Sequence, residues 1–366
     1  MRLNCHNRER GIALVIVMIV IIILATLAGG FAYSMKVETK LARNSSFDAD
    51  MEMLGRSGVE LGRYVLAMQL RIPEQGAYTA LNQKWAGGSS TNELLMDIEM
   101  EHNEMGPGEF SVHIEDMERR FNLSMIREGN SQVLERALDL IGADAADVTT
   151  IVDSYLDWTD PDDNVRLHGA ESQFYLHFNP KAPYFCKNGL MDDVSELLLI
   201  KGMTPEIYWG SGRTGVIPGG GAHASSRATT MVEGSGEHLS AGLVDLFTTI
   251  SGAGPAVNVN TASAEVLQLI PGMNAALARS IVDTRAGPDH VDGTEDDTPF
   301  ERREDLATVG GMDAGMIGAL GNLVTIRSSV FLIKVEAKIG KYVRHYEALV
   351  HLRNAQDVSI LYFRWV

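Results

Sequence analysis

Cysteine is almost missing from this 366-residue chain, which has only Cys5 and Cys186. A disulfide framework is therefore excluded, and Cys5 lacks the upstream apolar region that a lipoprotein signal needs. No His and Cys set has zinc spacing, and neither a Walker lysine nor a G-x-S-x-G elbow is present. Gly210-Ser211-Gly212-Arg213-Thr214-Gly215 matches G-x-G-x-x-G by letter, but it follows a helical segment and enters a Gly-rich loop, which excludes a dinucleotide site. Positive charge is also scarce. With 31 Lys and Arg against 48 Asp and Glu, the formal net charge is −17, which disfavours nucleic acid and anionic lipid as partners.

What the chain does have is one long uncharged apolar run, Ile12 to Tyr33. About 22 residues of helix at ~1.5 Å each reach roughly 33 Å, enough to cross a hydrocarbon core of about 30 Å. The preceding leader carries Arg2, Arg8 and Arg10 against Glu9, and Lys36 and Lys40 lie beyond the run, a modest bias toward a cytoplasmic N-terminus. Three readings fit: a signal peptide cut after Gly30-Phe31-Ala32, an uncleaved anchor, or a prepilin-type leader cut after Gly11. From Lys36 to Leu70 there is no proline, and Val37, Leu41, Leu54, Leu61, Tyr64, Val65 and Met68 recur at helical spacing. One helix is expected to run from the membrane into the outer domain, with a Met and Leu stripe along Met51 to Leu70.

A charged leader ending in Gly11, an apolar helix from Ile12 and its amphipathic continuation resemble the type IV pilin and pseudopilin class. The resemblance implies that a prepilin peptidase removes residues 1–11 and leaves Ile12 as the N-terminus. Most pilins carry Glu at the fifth mature position, and here that position is Ile16. A carboxylate in the apolar core of a filament needs an amine partner from a neighbour, so a subunit without it has no such partner above. Lack of this Glu, large size, the stretch Ile114 to Leu123, and the segments Asp153 to Glu171 and Ser195 to Tyr208 together resemble the minor pseudopilin K family of the type II secretion system. Cys5 would leave with the leader, and the rest of the chain would carry about −19.

Breakers fill Arg71 to Gly108, a loop-rich connection with room for one short helix. Phe110 to Ile114, Val330 to Val350 and Val358 to Val366 alternate like strands and are expected in one antiparallel sheet against the long helix. The fold class expected is α+β, a pilin-like fold with a large inserted helical domain. The division is leader 1–11, transmembrane helix 12–34, pilin-like residues 35–123, insertion 124–325, and pilin-like strands 326–366. Within the insertion a pattern recurs at Ser195 to Thr204, Glu265 to Asn274 and Glu304 to Asp313, and more weakly at Leu138 to Asp144. Gly202, Gly272 and Gly311 would supply positive φ past a helix end, and Thr204, Asn274 and Asp313 would cap the next helix. Such units resemble helix-hairpin-helix or SAM-like modules. Gly210 to Gly236 reads as a loop.

Asp157, Asp160, Asp162 and Asp163, with Glu171, form a carboxylate cluster that suits calcium or a salt bridge to Arg166. Asp289, Asp292, Glu295, Asp296 and Asp297 form a second acidic loop, a weaker metal candidate against a solvated surface loop. The pseudopilin class is known for structural calcium, and no organic cofactor is expected. The resemblance implies a non-enzymatic tip subunit of a periplasmic pseudopilus, anchored by a single span in the inner membrane. Its partners would be prepilin peptidase, the I-type and J-type minor pseudopilins and the major pseudopilin, and it would help initiate assembly for protein export across the outer membrane. Alternatives are a minor pilin of a type IV pilus or a membrane-anchored helix-hairpin-helix DNA-binding protein. The acidic charge and the missing second glycine in the turns at Gly202 and Gly272 oppose the last.

Overall fold

A computed structural model describes residues 9–89, 92–178, 182–210, 241–250, 252, 254 and 256–366, without the side chains of 9–12 and 43–46. Apart from Gly210, the stretch read as a loop from Gly210 to Gly236 lies outside the described residues.

Helix α1 (Glu9–Gln69) is a single element of 61 residues, about 92 Å long at ~1.5 Å per residue. Strands β1 (Asn103–Met105) and β2 (Gly108–Asp116) follow, then β3 (Phe121–Asn122). Helices α2 (Gln132–Ile141), α3 (Ala145–Thr159), α4 (Ser172–Phe178), α5 (Pro205–Trp209) and α6 (Leu243–Leu246) lead to β4 (Phe247–Thr248) and β5 (Val257–Asn258). Next come α7 (Ala264–Leu267), α8 (Ala275–Arg285), α9 (Ala314–Leu320) and β6 (Val324–Thr325). The chain closes with β7 (Val330–Ile339), β8 (Tyr342–Asn354) and β9 (Asp357–Trp365).

The main sheet is antiparallel throughout in the order β1-β2-β7-β8-β9, so strands more than 200 residues apart in sequence, β2 and β7, lie side by side. Val330 to Val350, one alternating run in the sequence, divides into two strands because Gly340 turns the chain at φ +59°. Phe110, Val112, Ile114, Ile333, Val335 and Ala337 face α1 and are buried. Burial of the Phe, Val and Ile side chains among them contributes about 1.5–3 kcal/mol each. The opposite face carries cross-strand ion pairs instead: Lys338–Glu109 (2.6 Å), Lys334–Glu115 (2.9 Å) and Arg364–Glu347 (2.9 Å).

Of the Met and Leu stripe on α1, Met51, Leu54, Leu66 and Met68 are buried against the sheet. Three glycines that the sequence reading passed over decide how close the helix comes. A Cβ added at Gly55 would lie 2.5 Å from the Tyr346 ring, one at Gly58 2.5 Å from Val335 Cγ1, and one at Gly62 2.9 Å from Ile333 Cδ1. Spaced three and four residues apart, they share one helix face and let the backbone of α1 rest on the sheet.

A second core runs from Phe121 to Val324 and is built from helices α2 to α9 and the short parallel pairs β3–β4 and β5–β6. Buried polar groups join the two. Asp116 Oδ2 accepts from Thr261 Oγ1 (2.6 Å), Ser328 Oγ (2.7 Å) and Asn258 Nδ2 (3.2 Å), and its Oδ1 accepts from the Glu118 amide (2.8 Å). Glu118 in turn accepts from the Ser329 amide and hydroxyl and the Gly252 amide. Burial pushes both carboxyls above their ordinary range, and the donors pull the other way.

Candidate functional site

At the amino end, α1 already includes Glu9 and Arg10, so Gly11 and Ile12 lie in its first turn. From Leu14 to Leu24 the helix is exposed along its length, and Ile16 is about half exposed. This is one helix long and apolar enough to cross a membrane, which fits single-pass anchoring.

The first acidic cluster follows α3. Its end places Asp157 inside the fold, and the next turn brings Arg166 back to it. Arg166 Nη1 donates to Asp157 Oδ1 (2.9 Å) and Asp160 Oδ2 (2.5 Å), and the Arg166 amide donates to both Asp157 oxygens. Gly169 is obligatory at this closure, because a Cβ there would overlap Asp157 Oδ2. Asp162 accepts from the Asn164 amide (2.8 Å), and Asp163 from Asn188 Nδ2 (3.0 Å). Glu171 differs from the other four. It is buried, neither carboxylate oxygen has a hydrogen-bond donor in ordinary geometry, and the neighbouring Cys186 thiol is directed to the Asp157 carbonyl (3.6 Å). Burial, reinforced by Asp157, Asp160 and Asp163, pushes Glu171 up to about 7, and burial pushes the Cys186 thiol up to about 12. Asp157 is also raised by burial despite the guanidinium beside it.

Among the described residues, no three or more His, Cys, Asp or Glu side chains are grouped so that they could hold a metal ion. An orphaned buried carboxylate beside a second buried one is nonetheless what a hard cation relieves. Glu171 is the carboxylate left without a hydrogen-bond donor, whereas both Asp157 oxygens are already held by Arg166.

In the second acidic loop the carboxylates are engaged within the protein. Asp292 holds the buried Arg285 guanidinium (2.9 and 2.7 Å), which also donates to the Val259 and Ala262 carbonyls. Asp289 accepts from the Val291 amide, Asp296 from Thr294 Oγ1, and Asp297 from the Gly293 amide. Glu295 reaches Ser89 Oγ (2.8 Å). The clamp at Arg285 has no counterpart in the sequence reading; an arginine four residues before an acidic loop and seven before Asp292 was its only signal.

The recurring turns place Gly142, Gly202, Gly272 and Gly311 at φ between +87° and +94°. Thr204, Asn274 and Asp313 then accept from the amides of Ile207, Leu277 and Met316. The segments before Gly202 and Gly311 are six-residue 3-10 turns, Val194–Leu199 and Arg303–Thr308, where the pattern suggested α-helix. The copy before Gly272 keeps α geometry over Ala264–Leu267. Arg136 on α2 donates to the Gln268 and Met273 carbonyls, tying α2 to the hairpin at Gly272.

Residues 119–209 match the family model described as Type II secretion system (T2SS), protein K, and residues 252–324 match that of the helix-hairpin-helix motif. A putative type II secretion system protein K of Escherichia coli is 26% identical over 215 residues, covering 56% of this chain and 61% of that protein. Type II secretion system protein K of Klebsiella pneumoniae is 26% identical over 218 residues, with the same coverage of 56% and 61%. The chain thus spans about three fifths of the length of these curated relatives. A crystal structure of the GspK-GspI-GspJ complex from the enterotoxigenic E. coli Type 2 Secretion System matches at a TM-score of 0.62 and 16% identity. That match covers 89% of this chain and 99% of that one, a likeness of fold. The resemblance to the type II secretion protein K family is shown by sequence over residues 119–209, and the α+β fold over most of the chain.

Proposed function

We propose that this chain is a minor pseudopilin of a type II secretion system that caps the tip of the pseudopilus and helps start its assembly. The observation that carries this reading is a protein K sequence match lying within an insertion between β2 and β7 of a sheet packed on a long, apolar-ended helix. Prepilin peptidase removes residues 1–11, residues 12–34 cross the inner membrane, and the remainder lies in the periplasm. Residues 35–123 and 326–366 form the pilin-like part and 124–325 the inserted domain, whose hairpins stack in a SAM-like manner. Its partners are the I-type and J-type minor pseudopilins and the major pseudopilin. The role is structural rather than catalytic, and an apolar Ile16 offers no carboxylate to a subunit above it. The first test is the N-terminal residue of membrane-extracted protein by mass spectrometry. A start at Ile12 is expected, with Gly11→Val leaving the precursor uncut; a start at Met1 or after Ala32 overturns the reading.

Calcium is the structural ligand of this reading, held by Glu171 and Asp157 with Asp160, Asp162 and Asp163 around them. It would supply positive charge to the Glu171 carboxylate, whose oxygens have no hydrogen-bond donor in ordinary geometry, and Arg166 would have to give up part of its hold on Asp157. Asp289, Asp292, Glu295, Asp296 and Asp297 are the weaker site, because all five accept hydrogen bonds within the protein and none is a buried carboxylate without a donor like Glu171. Added calcium should raise the melting temperature over a chelated sample, and Glu171→Gln should remove most of the difference. Equal melting in the two conditions counts against the site.

A further inference from the structure

The second acidic loop sets five carboxylates within nine residues, 289–297, and carboxylates packed this closely repel one another unless a positive charge stands among them. Arg285 brings that charge from within the chain. Its side chain is 3% exposed, and four of its five N–H groups are used. Nε and Nη2 donate to the two Asp292 oxygens (2.9 and 2.7 Å), and Nη1 donates to the carbonyls of Val259 (2.6 Å) and Ala262 (2.7 Å). Two backbone carbonyls and both oxygens of a carboxylate are ligands that a hard divalent cation takes, and here a guanidinium stands at their centre.

The same residue joins two parts of the fold. On one side the Arg285 carbonyl accepts from the Thr298 amide (2.8 Å), which closes the loop at its base, and Glu295 reaches Ser89 Oγ (2.8 Å) in the connection between α1 and β1. On the other side, Val259 and Ala262 belong to the turn whose Asn258 and Thr261 donate to Asp116. Asp289, Asp296 and Asp297 are turned to amides and a hydroxyl of the loop itself.

We infer that Arg285 is a built-in substitute for a metal ion, holding the second acidic loop against the 258–262 turn so that this part of the chain is indifferent to calcium. A guanidinium stays charged at any physiological pH, and no chelator removes it. The two acidic loops therefore differ in kind. In the first, Arg166 leaves the buried Glu171 carboxylate without a donor; in the second, no buried carboxylate is left so. A response to calcium belongs to the first alone. The inference does not depend on which filament the chain joins.

Hydrogen exchange of the full-length chain in detergent, read by mass spectrometry with calcium or with a chelator, tests it. In the unaltered protein, exchange over 258–262 and 285–298 is expected to be the same in both conditions, whatever happens over 157–171. Arg285→Ala should speed exchange in both segments about a hundredfold or more, because a buried carboxylate and two carbonyls lose their cation. Calcium, now able to reach those ligands, should slow it again. Asp292→Asn is the milder variant and reads the clamp even if Arg285→Ala does not fold. It should speed exchange over 285–298 while 258–262 stays protected, since the guanidinium still reaches Val259 and Ala262. Faster exchange of the unaltered segments on chelation overturns the inference. So does a folded Arg285→Ala protein that exchanges like the unaltered one or ignores calcium, or an Asp292→Asn loop that keeps its full protection.

Discussion

Glu115 shows how a single buried residue contributes to stability against acid. It is buried on β2, and burial alone would raise its pKa; Arg120 (2.7 Å) and Lys334 (2.9 Å) outweigh that and hold it down at about 2. A carboxylate depressed from its ordinary 4.5 contributes stability that is fully present above pH 4.5 and is lost as the pH falls toward 2. Glu115→Gln should therefore cost on the order of 2 kcal/mol at pH 7, read by urea denaturation, with the two proteins converging near pH 2. The acidic stretch containing Glu115 was legible as a segment of interest, whereas its partners were not: Lys334 lies 219 residues away and only the β2–β7 register brings it there. The same holds for Asp157 and Arg166 in reverse. Nine residues apart on one turn, they were readable as a pair, but the missing donors at Glu171 depend on the packing around it.

At the level of elements, α1 and the sheet were legible because each carries its own periodicity, 3.6 along Lys36 to Leu70 and 2 along the strands. How close they come was not, because the hydrophobic stripe drew attention and the Gly55, Gly58 and Gly62 spacing within it did not. Gly58→Leu should push α1 off Val335 and Phe110 and lower stability by about 3 kcal/mol, more than the ~1 kcal/mol of helix propensity it gains, and a thermal melt checks the sign. In the hairpins, residue type alone pointed to the turn glycines and caps, since the bonds span only three residues. Asn274→Ala should remove the acceptor of the Leu277 amide and cost about 1 kcal/mol, measurable in the same way. The 3-10 geometry before Gly202 and Gly311 escaped the pattern, which constrains spacing of apolar residues and not helix pitch.

For the molecule as a whole, the contact between the two cores is polar at its centre. Asp116 collects donors from Thr261, Ser328 and Asn258, and Asn258 also reaches the Thr79 carbonyl (3.1 Å), so one carboxylate gathers the entry and exit of the inserted segment. Asp116→Ala leaves these donors buried without their acceptor and should cost about 3 kcal/mol. Calorimetry is expected to show one transition separating into two as the cores uncouple; a single transition at an unchanged temperature would count against this role. Nothing in the sequence marks that node, because its members come from four separated stretches and each is an ordinary polar residue.

The continuity of α1 has a mechanical consequence. From Glu9 to Gln69 the helix has no break, and over Met51 to Met68 it is keyed to the sheet by side chains and by the three glycines. It would therefore act as a connecting rod, carrying a lift or rotation applied at the apolar end to the sheet and, through the Asp116 node, toward the inserted core. Where the rod would flex first is also written in it. At the adjacent Gly29 and Gly30 an added Cβ would meet nothing within this chain, and two glycines in succession are what weakens a helix against bending.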